Sequence, residues 1–244
     1  KAAERFGKGE LVDDLRPSGA LEIRKATYEF DRMMKRINRH LAQRSEMLSG
    51  ISHDLRTPLT RLKLQLAMMD KKDLAEKMTN DIDEMEKMLS DYLQYAKSQA
   101  EENSTKINLS NMITEILKNY DKNKYEFEKS EIIEIKGREN LIKRCIINII
   151  VNGLAYGNKI KIQIKKSING GIIIVEDNGP GIPESEFLNV FKPFYRIDKS
   201  RGLNKSGVGL GLSISQDIVK SHGGKIALSK SKMGGLLVKI SLPF

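Results

Sequence analysis

Cysteine, tryptophan and long apolar runs are what this sequence largely lacks. The single cysteine, Cys145, has no second thiol for an internal disulfide, which is typical of a reducing compartment, and we expect it to be a buried structural thiol. No stretch approaches the roughly 18 apolar residues that cross a bilayer, so no membrane span is predicted within the 244 residues. Aromatic residues reach only 6%, and they do not alternate with basic residues as on a nucleic-acid surface.

The charge of the chain is unbalanced in the basic direction. Lys and Arg number 42 against 32 Asp and Glu, which gives a formal charge of +10. Such an excess indicates nucleic acid, a membrane surface or anionic small molecules as partners. Because the basic residues are scattered, we favour a phosphate-rich ligand and a position near anionic lipid. An ordinary solvated surface is the alternative, and DNA binding is the weakest choice.

An apolar stripe organises the first part of the chain. From Ile23 to Met69 apolar residues recur at steps of three and four, with one interruption at Arg44, which is the pattern of a long amphipathic helix. A second stripe runs from Leu74 to Ala96 after a short polar connection. Two such helices predict an antiparallel hairpin. One hairpin has too little core to stand alone, so two are expected to pair into a four-helix dimer.

The first of these helices carries His53 on its outer face. At about 100° per residue His53 points away from the apolar stripe, with Asp54 beside it and Thr57 one turn further on. An outward histidine without further context is usually a solvated surface residue. That is our interpretation of the other two histidines, His40 and His222.

Beyond the polar residues 97–106 the pattern changes to mixed α/β. Strands are predicted near residues 107, 125–128, 132–135, 160–164, 172–176, 226–228 and 236–242, and helices near 110–120, 139–156 and 209–222. Asn-Gly-Gly at 169–171 predicts a hairpin turn between two of the strands. Helices on one face of a mixed sheet describe an α+β two-layer domain.

Two amides stand out on the helix predicted at 139–156. Asn148 and Asn152 share one face of an otherwise apolar helix, where amides are unexpected unless they meet a polar partner. An amide oxygen is a hard ligand that suits Mg²⁺, which is commonly held by few protein groups plus phosphates and water. Capping of neighbouring loops is the alternative.

Three further motifs follow along the chain, two rich in glycine and one between them rich in aromatic residues. Residues 177–181, Asp-Asn-Gly-Pro-Gly, come after a buried-looking strand, although alone they are an ordinary turn. Residues 207–212, Gly-Val-Gly-Leu-Gly-Leu, open a helix, where backbone N–H groups can approach phosphates. Between them, residues 191–196, Phe-Lys-Pro-Phe-Tyr-Arg, begin a basic loop that can close on a polyphosphate or be simply solvated.

Together these motifs resemble one known family. Residues 52–60, Ser-His-Asp-Leu-Arg-Thr-Pro-Leu-Thr, closely resemble the phosphoacceptor box of sensor histidine kinases, in particular of the EnvZ type. The four later motifs occur in the order and spacing of the Bergerat-type ATP-binding domain of that family, so the resemblance covers residues 46–244. Residues 1–45 resemble, more loosely, the C-terminal part of a HAMP linker.

The resemblance implies a fold and a domain division. Residues 46–100 would be an all-α helical hairpin that forms a dimeric four-helix bundle for dimerisation and histidine phosphotransfer. Residues 101–244 would be an α+β two-layer sandwich that binds ATP. His53 matches the phosphorylated histidine, Asp54 the neighbour that orients the imidazole and accepts its proton, and Thr57 the residue that positions water for dephosphorylating the partner.

The resemblance also implies an ATP site. Asn152 matches the Mg²⁺ ligand, with Asn148 in support, Tyr156 matches the ring packed on adenine, and Asp177 matches the carboxylate that reads the adenine amino group. The other matching pocket and lid positions are Gly179, Gly181, Phe191, Phe194, Arg196, Gly207, Gly209, Leu210 and Gly211.

The implied protein is an ATP- and Mg²⁺-dependent protein-histidine kinase that acts as a homodimer. It would phosphorylate His53, pass the phosphoryl group to an aspartate on an OmpR-like response regulator receiver domain, and also dephosphorylate that regulator. The chain starts within a helix-like segment, so we expect a cytoplasmic fragment whose missing N-terminal transmembrane segment anchors it in the bacterial inner membrane. No nucleic-acid partner is implied.

Two positions depart from the family pattern. Ala155 replaces a frequent Lys or Arg that reaches the phosphates, and Val208 replaces a frequent Thr or Ser. The loss of one charged phosphate contact costs roughly 1.5–3 kcal/mol if nothing compensates. These departures motivate one alternative, a degenerate kinase that acts as a phosphatase only or as a signalling scaffold. A chaperone or mismatch-repair ATPase of the same superfamily is another, which the His53 helix disfavours.

Overall fold

The structure is a computed structural model that describes residues 18–69, 74–83, 85–86, 89–90, 102–128, 132–197 and 209–244. Some side chains within the first helix, that of His53 among them, lie outside the described part. The described residues divide into two units, a helical unit up to residue 90 and an α/β unit from Glu102 to Phe244. The predicted helical hairpin followed by an α+β sandwich is confirmed.

One long helix dominates the helical unit. Helix α1 spans Leu21–Ala67 and continues through Pro58, and helical backbone at residues 74–83, 85–86 and 89–90 forms α2. The described remainder of the predicted second stripe ends at residue 90, so Ala96 lies outside the described residues. Within the described part no helix has the length and hydropathy that crossing a membrane requires.

A small apolar seam and one lysine join the two helices. Leu59 and Leu66 of α1 are buried in one cluster with Ala75 and Ile82 of α2. Beside this cluster Lys63 Nζ lies 2.5 Å from Asp83 Oδ1 and 2.8 Å from Glu86 Oε2. Both carboxylates raise the pKa of Lys63 through their hydrogen bonds. The two helices therefore pack along one side as the predicted hairpin.

The same hairpin leaves much of its apolar stripe uncovered. Five large apolar side chains of α1 and α2 are between 41% and 52% exposed: Ile51, Leu55, Leu62, Met78 and Met85. Large apolar side chains that stay exposed along one helix stripe are typical of an interface. A single hairpin thus buries only part of its hydrophobic face, as the dimer expectation requires.

In its described residues the α/β unit contains two sheets and three helices. Its strands are β1 (Thr105–Asn108), β2 (Tyr125–Glu128), β3 (Glu134–Gly137), β4 (Ile160–Ser167), β5 (Gly170–Asp177), β6 (Lys225–Lys230) and β7 (Leu236–Pro243). Its helices are α3 (Leu109–Leu117), α4 (Glu139–Tyr156) and α5 (Gly211–Ser221). Single 3₁₀ turns occur at Lys122–Lys124, Glu184–Glu186 and Asn189–Phe191.

The main sheet is mixed and is covered by the helices. Its strand order is β2-β4-β5-β7-β6, with β2 and β4 parallel and the other pairs antiparallel, while β1 and β3 form a separate antiparallel pair. Alternate residues are buried along β4 from Ile160 to Ile164 and along β5 from Gly171 to Val175, and α4 packs against both strands. This alternation is the mark of a sheet with one covered face.

The hairpin between β4 and β5 turns one residue earlier than the Asn-Gly-Gly pattern predicts. The turn consists of Ile168 and Asn169, and both glycines belong to β5. A Cβ atom at Gly170 would overlap the carbonyl oxygen of Leu242 in the neighbouring strand. These glycines therefore serve close packing within the unit rather than the turn.

The surface interpretation of His222 is wrong. His222 is 7% exposed, its Nε2 accepts the backbone N–H of Arg138 at 3.0 Å, and its Nδ1 lies 2.7 Å from the carbonyl oxygen of Ile218. Burial lowers its pKa, so the neutral imidazole with a proton on Nδ1 satisfies both contacts. The signal was in the sequence, because His222 follows Ile218 by four residues on the apolar face of α5. His40 is exposed as expected.

Candidate functional site

The first of the two amides, Asn148, lies where α4 meets the start of α5. Asn148 Nδ2 donates to the carbonyl oxygen of Gly211 at 3.4 Å, so its own amide oxygen is not used by that bond. Asn152, one turn further along α4, is half-buried. No group of three or more His, Cys, Asp or Glu in the described residues could hold a metal ion. Two amide oxygens instead fit a cation that takes most of its ligands from phosphate and water, as Mg²⁺ does.

Asp177 lies buried at the end of β5, under α4. Its Oδ1 accepts the backbone N–H groups of Gly179 at 2.8 Å and Leu236 at 3.2 Å. Burial raises the pKa of this carboxyl, and the two N–H groups oppose that rise. Because both bonds use Oδ1, the second oxygen can accept a hydrogen bond from a ligand.

Glycines allow the backbone to close around Asp177. A Cβ atom at Gly153 of α4 would lie 2.8 Å from Ile160 Cγ2 and 3.6 Å from the Asp177 Cβ, so α4 passes directly over the carboxylate. A Cβ atom at Gly235, 58 residues further along the chain, would overlap Asp177 Oδ1. Motif reasoning missed Gly153 and Gly235, although both stand where a side chain would displace Asp177.

Tyr156 ends α4 and is 49% exposed. The loop after Asp177 reaches its backbone, because a Cβ atom at Gly179 would lie 2.8 Å from the Tyr156 carbonyl oxygen. Gly181 has a φ of +71°, a conformation that side chains rarely adopt. The structure thus brings together Tyr156, Asp177 and the first two glycines of the predicted pocket.

The Phe-containing segment meets the glycine motif through its backbone. Phe194 has a φ of +63° and donates its N–H to the carbonyl oxygen of Gly209 at 3.1 Å. Gly209 has a φ of +76°, and a Cβ atom there would lie 2.8 Å from the Tyr195 carbonyl oxygen. A non-glycine residue in the left-handed region is costly, so Phe194 marks a constrained loop.

The remaining residues of this segment vary in exposure. Phe191 and Arg196 are half-buried, Leu210 is 5% exposed, and Gly211 begins α5. Glu186 accepts from Tyr195 Oη at 2.5 Å and from Asn189 Nδ2 at 3.1 Å, which ties the segment to the preceding 3₁₀ turn. Gly207, Val208 and the basic residues at 199, 201 and 205 lie outside the described residues.

The predicted phosphoacceptor position lies in the helical unit. The backbone of His53 is helical within α1, and the side chains of Asp54 and Thr57 are exposed. Thr57 lines a shallow depression along α1 together with Arg56, Thr60, Arg61 and Leu64. Asp54, next to His53, and Thr57, one turn further along α1, are therefore open to solvent in this chain.

Each of the two units matches a known family model. Residues 43–101 match the family model of the His Kinase A (phospho-acceptor) domain, and residues 137–244 match that of the histidine kinase-, DNA gyrase B- and HSP90-like ATPases. The sensor histidine kinase GtrS of Pseudomonas aeruginosa is 34% identical over 245 residues, which cover 100% of this chain and 51% of GtrS. The chain belongs to the sensor histidine kinase family.

Two further kinases extend the comparison. The sensor histidine kinase CpxA of Escherichia coli is 30% identical over 258 residues, which cover 99% of this chain and 56% of CpxA. The chain spans about half the length of these curated relatives. The solved structure of the histidine kinase AdeS from Acinetobacter baumannii matches with a TM-score of 0.56 at 22% identity, covering 78% of this chain and 97% of that one, and supports the fold.

The predicted family is therefore confirmed, and so is the ATP-binding type of the α/β unit. A chaperone or mismatch-repair ATPase is excluded as an interpretation, because the phospho-acceptor domain accounts for residues 43–101. The domain boundaries and the roles of individual site residues stay predictions.

Proposed function

We propose that this chain is the catalytic part of a protein-histidine kinase that phosphorylates His53 from ATP and passes the phosphoryl group to an aspartate of a response regulator. One observation carries the proposal. Asp177, a buried carboxylate with one uncommitted oxygen, lies beneath the amide-bearing helix α4 in a chain whose residues 43–101 match a phospho-acceptor domain.

In this proposal the α/β unit binds the nucleotide through complementary groups. The second oxygen of Asp177 accepts the adenine amino group, and the half-exposed ring of Tyr156 packs on the base. Asn152 binds Mg²⁺ with Asn148 beside it, and the ion, when bound, neutralises charge on the phosphates. Gly179, Gly181, Phe191, Phe194, Arg196, Gly207, Gly209, Leu210 and Gly211 shape the pocket and its lid.

The proposed reaction is an in-line phosphoryl transfer. A ring nitrogen of neutral His53 forms a bond to the γ-phosphorus while the bond to the β,γ-bridging oxygen breaks and ADP leaves. Asp54 is exposed next to His53 on α1, where it can orient the imidazole and accept its proton. A receiver-domain aspartate then takes the phosphoryl group from His53.

The wider setting of the reaction is also a proposal. Residues 1–45 would be the end of a HAMP linker, 46–100 the dimerisation and phosphotransfer hairpin, and 101–244 the ATP-binding domain. The partner would be an OmpR-like receiver domain, and the anchor an upstream transmembrane segment in the bacterial inner membrane. Thr57, exposed one turn from His53, would position water for dephosphorylating the regulator.

A second candidate function keeps the fold but loses the kinase step. Ala155 is an exposed alanine where the family often has a basic side chain, so a phosphate contact is missing from α4. In a phosphatase-only protein or scaffold, nucleotide would bind without phosphorylation of His53. Arg196, a described and half-buried basic residue of the Phe-containing segment, can compensate for Ala155.

The test is phosphorylation with Mg²⁺ and γ-labelled ATP. The parent chain is expected to acquire an acid-labile, base-stable label that is absent from His53→Ala. His40→Ala is the matched control, because His40 is an exposed histidine on the same helix. Label that persists in His53→Ala would overturn the proposal. Measurable ATP binding without any label would instead support the phosphatase or scaffold.

A further inference from the structure

Asn178, directly after Asp177, makes a three-bond connection to the loop that follows α4. Its side-chain Oδ1 accepts the backbone N–H groups of Asn158 at 2.8 Å and Lys159 at 2.9 Å. Its own backbone N–H donates to the carbonyl oxygen of Lys159 at 3.2 Å. Asn178 thus connects the end of β5 to the start of β4 through its side chain and its backbone.

This connection lies between the two residues proposed to recognise the base. Residues 157–159 form the turn from α4 to β4, so their position determines where Tyr156 stands relative to Asp177. The approach is close enough to require glycine, because a Cβ atom at Gly157 would lie 2.9 Å from Asn178 Oδ1. Gly157 also closes α4 by donating its N–H to the Gly153 carbonyl oxygen at 2.8 Å.

We infer that Asn178 is a positioning residue for base recognition, which holds the end of α4 at a fixed distance from the Asp177 carboxylate. This inference rests on the proposed function, in which Tyr156 and Asp177 contact the adenine. Asn178 itself is exposed and needs no contact with the nucleotide. Its effect on binding passes through the backbone of residues 157–159.

The chemistry of the connection specifies which side chains can replace Asn178. Two N–H donors share one oxygen, so the residue must offer an acceptor with two lone pairs on a one-carbon stem. Aspartate meets this requirement and alanine does not. Asn and Asp are the residues whose side chains bond to nearby backbone N–H groups in this way.

The experiment compares Asn178→Ala and Asn178→Asp with the parent in the full chain. Asn169→Ala is the matched control, because it makes the same change at the exposed turn at the other end of the β4–β5 hairpin. Displacement of a fluorescent ATP analogue gives the affinities for ATP and for inosine triphosphate, which has the same ribose and phosphates but lacks the amino group. The rate of His53 labelling is measured against ATP concentration.

Asn178→Ala is expected to weaken ATP binding about tenfold, the effect of losing two neutral hydrogen bonds that water partly replaces. The affinity for inosine triphosphate changes less, so the preference for ATP falls. KM for ATP rises while kcat at saturation stays within about twofold, and Asn178→Asp restores the preference to within about threefold of the parent.

Three results would overturn the inference. An unchanged ATP affinity in Asn178→Ala would show that the connection positions nothing. An equal loss for both nucleotides, or a loss that Asn178→Asp does not restore, would show a general loss of structure. A parent chain that binds no nucleotide would refute the proposed function itself, a result that the parent measurement reports before any variant is compared.

Discussion

Asp177 is a buried carboxyl group, and its burial costs folding free energy. Its carboxyl is buried and its pKa is raised by that burial, so keeping it ionised at neutral pH costs folding free energy. Two backbone N–H groups offset part of the cost, and an adenine amino group would offset more. The environment of Asp177 is thus consistent with the proposed contact to an adenine amino group.

Asp177→Asn tests this balance. The amide oxygen can still accept from Gly179 and Leu236, so the fold is expected to persist with equal or higher thermal stability. Its amide N–H₂ group would face the adenine amino group, so ATP affinity should fall about 100-fold, roughly 3 kcal/mol. Calorimetric titration with ATP and a melting curve without nucleotide measure the two effects. Undiminished ATP binding would remove Asp177 from the site.

Cys145 is a buried thiol that the proposed reaction does not use. It is 2% exposed, and burial raises its pKa to about 12. Because the thiolate is the reactive form, Ellman's reagent at pH 8 is expected to modify Cys145 only after denaturation. Rapid modification of the native protein, followed by absorbance, would contradict this placement.

At this scale the sequence predicted residues that belong to recognisable motifs and missed those that act across the chain. Asn148 and Asn152 were singled out because their polarity breaks an apolar pattern, and Asp177 because it belongs to a turn motif after a buried-looking strand; the roles of all three stay predictions. Gly235 was missed because the contact that requires glycine there, with Asp177, lies 58 residues away. The burial of His222 was readable from its spacing to Ile218, but its hydrogen bond with Arg138, 84 residues away, was not. Contacts of that range depend on the folded topology.

Helix α4 carries Asn148 and Asn152 and passes over Asp177. Two side chains from other parts of the chain, those of Glu102 and His222, bind the backbone at its N-terminus. Arg138, the residue before α4, makes no side-chain cap, and the carboxylate of Glu102 accepts the N–H groups of Asn140 at 2.7 Å and Leu141 at 3.3 Å. His222 binds the N–H of Arg138. Free N–H groups and the positive end of the helix dipole favour such a carboxylate.

Glu102→Ala is expected to destabilise the α/β unit by about 1 kcal/mol, the usual cost of losing a helix cap. Glu139→Ala is the control, because it removes the same charge from the first turn of α4 without these hydrogen bonds. Urea unfolding followed by circular dichroism of the full chain measures both. Equal effects of the two substitutions would mean that charge alone, and not the cap, stabilises α4.

The contact of His222 with the start of α4 should make this region sensitive to acid. The pKa of His222 in the folded state lies below the ordinary 6.5, so the unfolded state binds the proton more readily. The contribution of neutral His222 to the free energy of unfolding is therefore fully present above pH 6.5 and decreases as the pH falls below that value. Protonation would also place a cation beside Arg138 and remove the acceptor for its N–H, with Glu102 the nearby opposing charge.

Hydrogen exchange of the first turn of α4 measures this effect locally. Between pH 7.5 and 5.5 the opening free energy of the parent is expected to fall by about 1 kcal/mol. His222→Gln should lose most of this dependence, whereas His40→Gln, at an exposed site on α1, should keep it. The same pH dependence in His222→Gln would assign the effect to other groups.

At the scale of the whole molecule, the order of elements and the two-layer architecture were predictable because periodicity and turn residues agree along most of the chain. The early turn at Ile168 and Asn169 was not, since β7 packing rather than turn preference decides the place of Gly170. The end of α3 at Leu117 and both ends of α5 lie inside the predicted ranges, whereas α3 begins at Leu109, one residue before its predicted start, where Asn108 caps the helix.

The incomplete burial of the helical hairpin leads to the last prediction, that the protein is a dimer. Leu62 lies on the apolar stripe of α1 and is 46% exposed, so covering it in a four-helix bundle would contribute on the order of 1 kcal/mol per protomer. Leu62→Glu replaces this gain with the cost of burying a charge. Leu64→Glu is the matched control, because Leu64 faces the depression beside Thr57 and is 64% exposed.

Light scattering during size-exclusion chromatography distinguishes the outcomes. The parent and Leu64→Glu are expected at about twice the 27.6 kDa of one chain, and Leu62→Glu is expected to shift toward one chain at micromolar concentration. A parent that is monomeric at high concentration would leave the apolar stripe unexplained. Dimers that persist in Leu62→Glu but not in Leu64→Glu would place the interface on the face of α1 that carries Thr57, where the response regulator is proposed to gain access to His53.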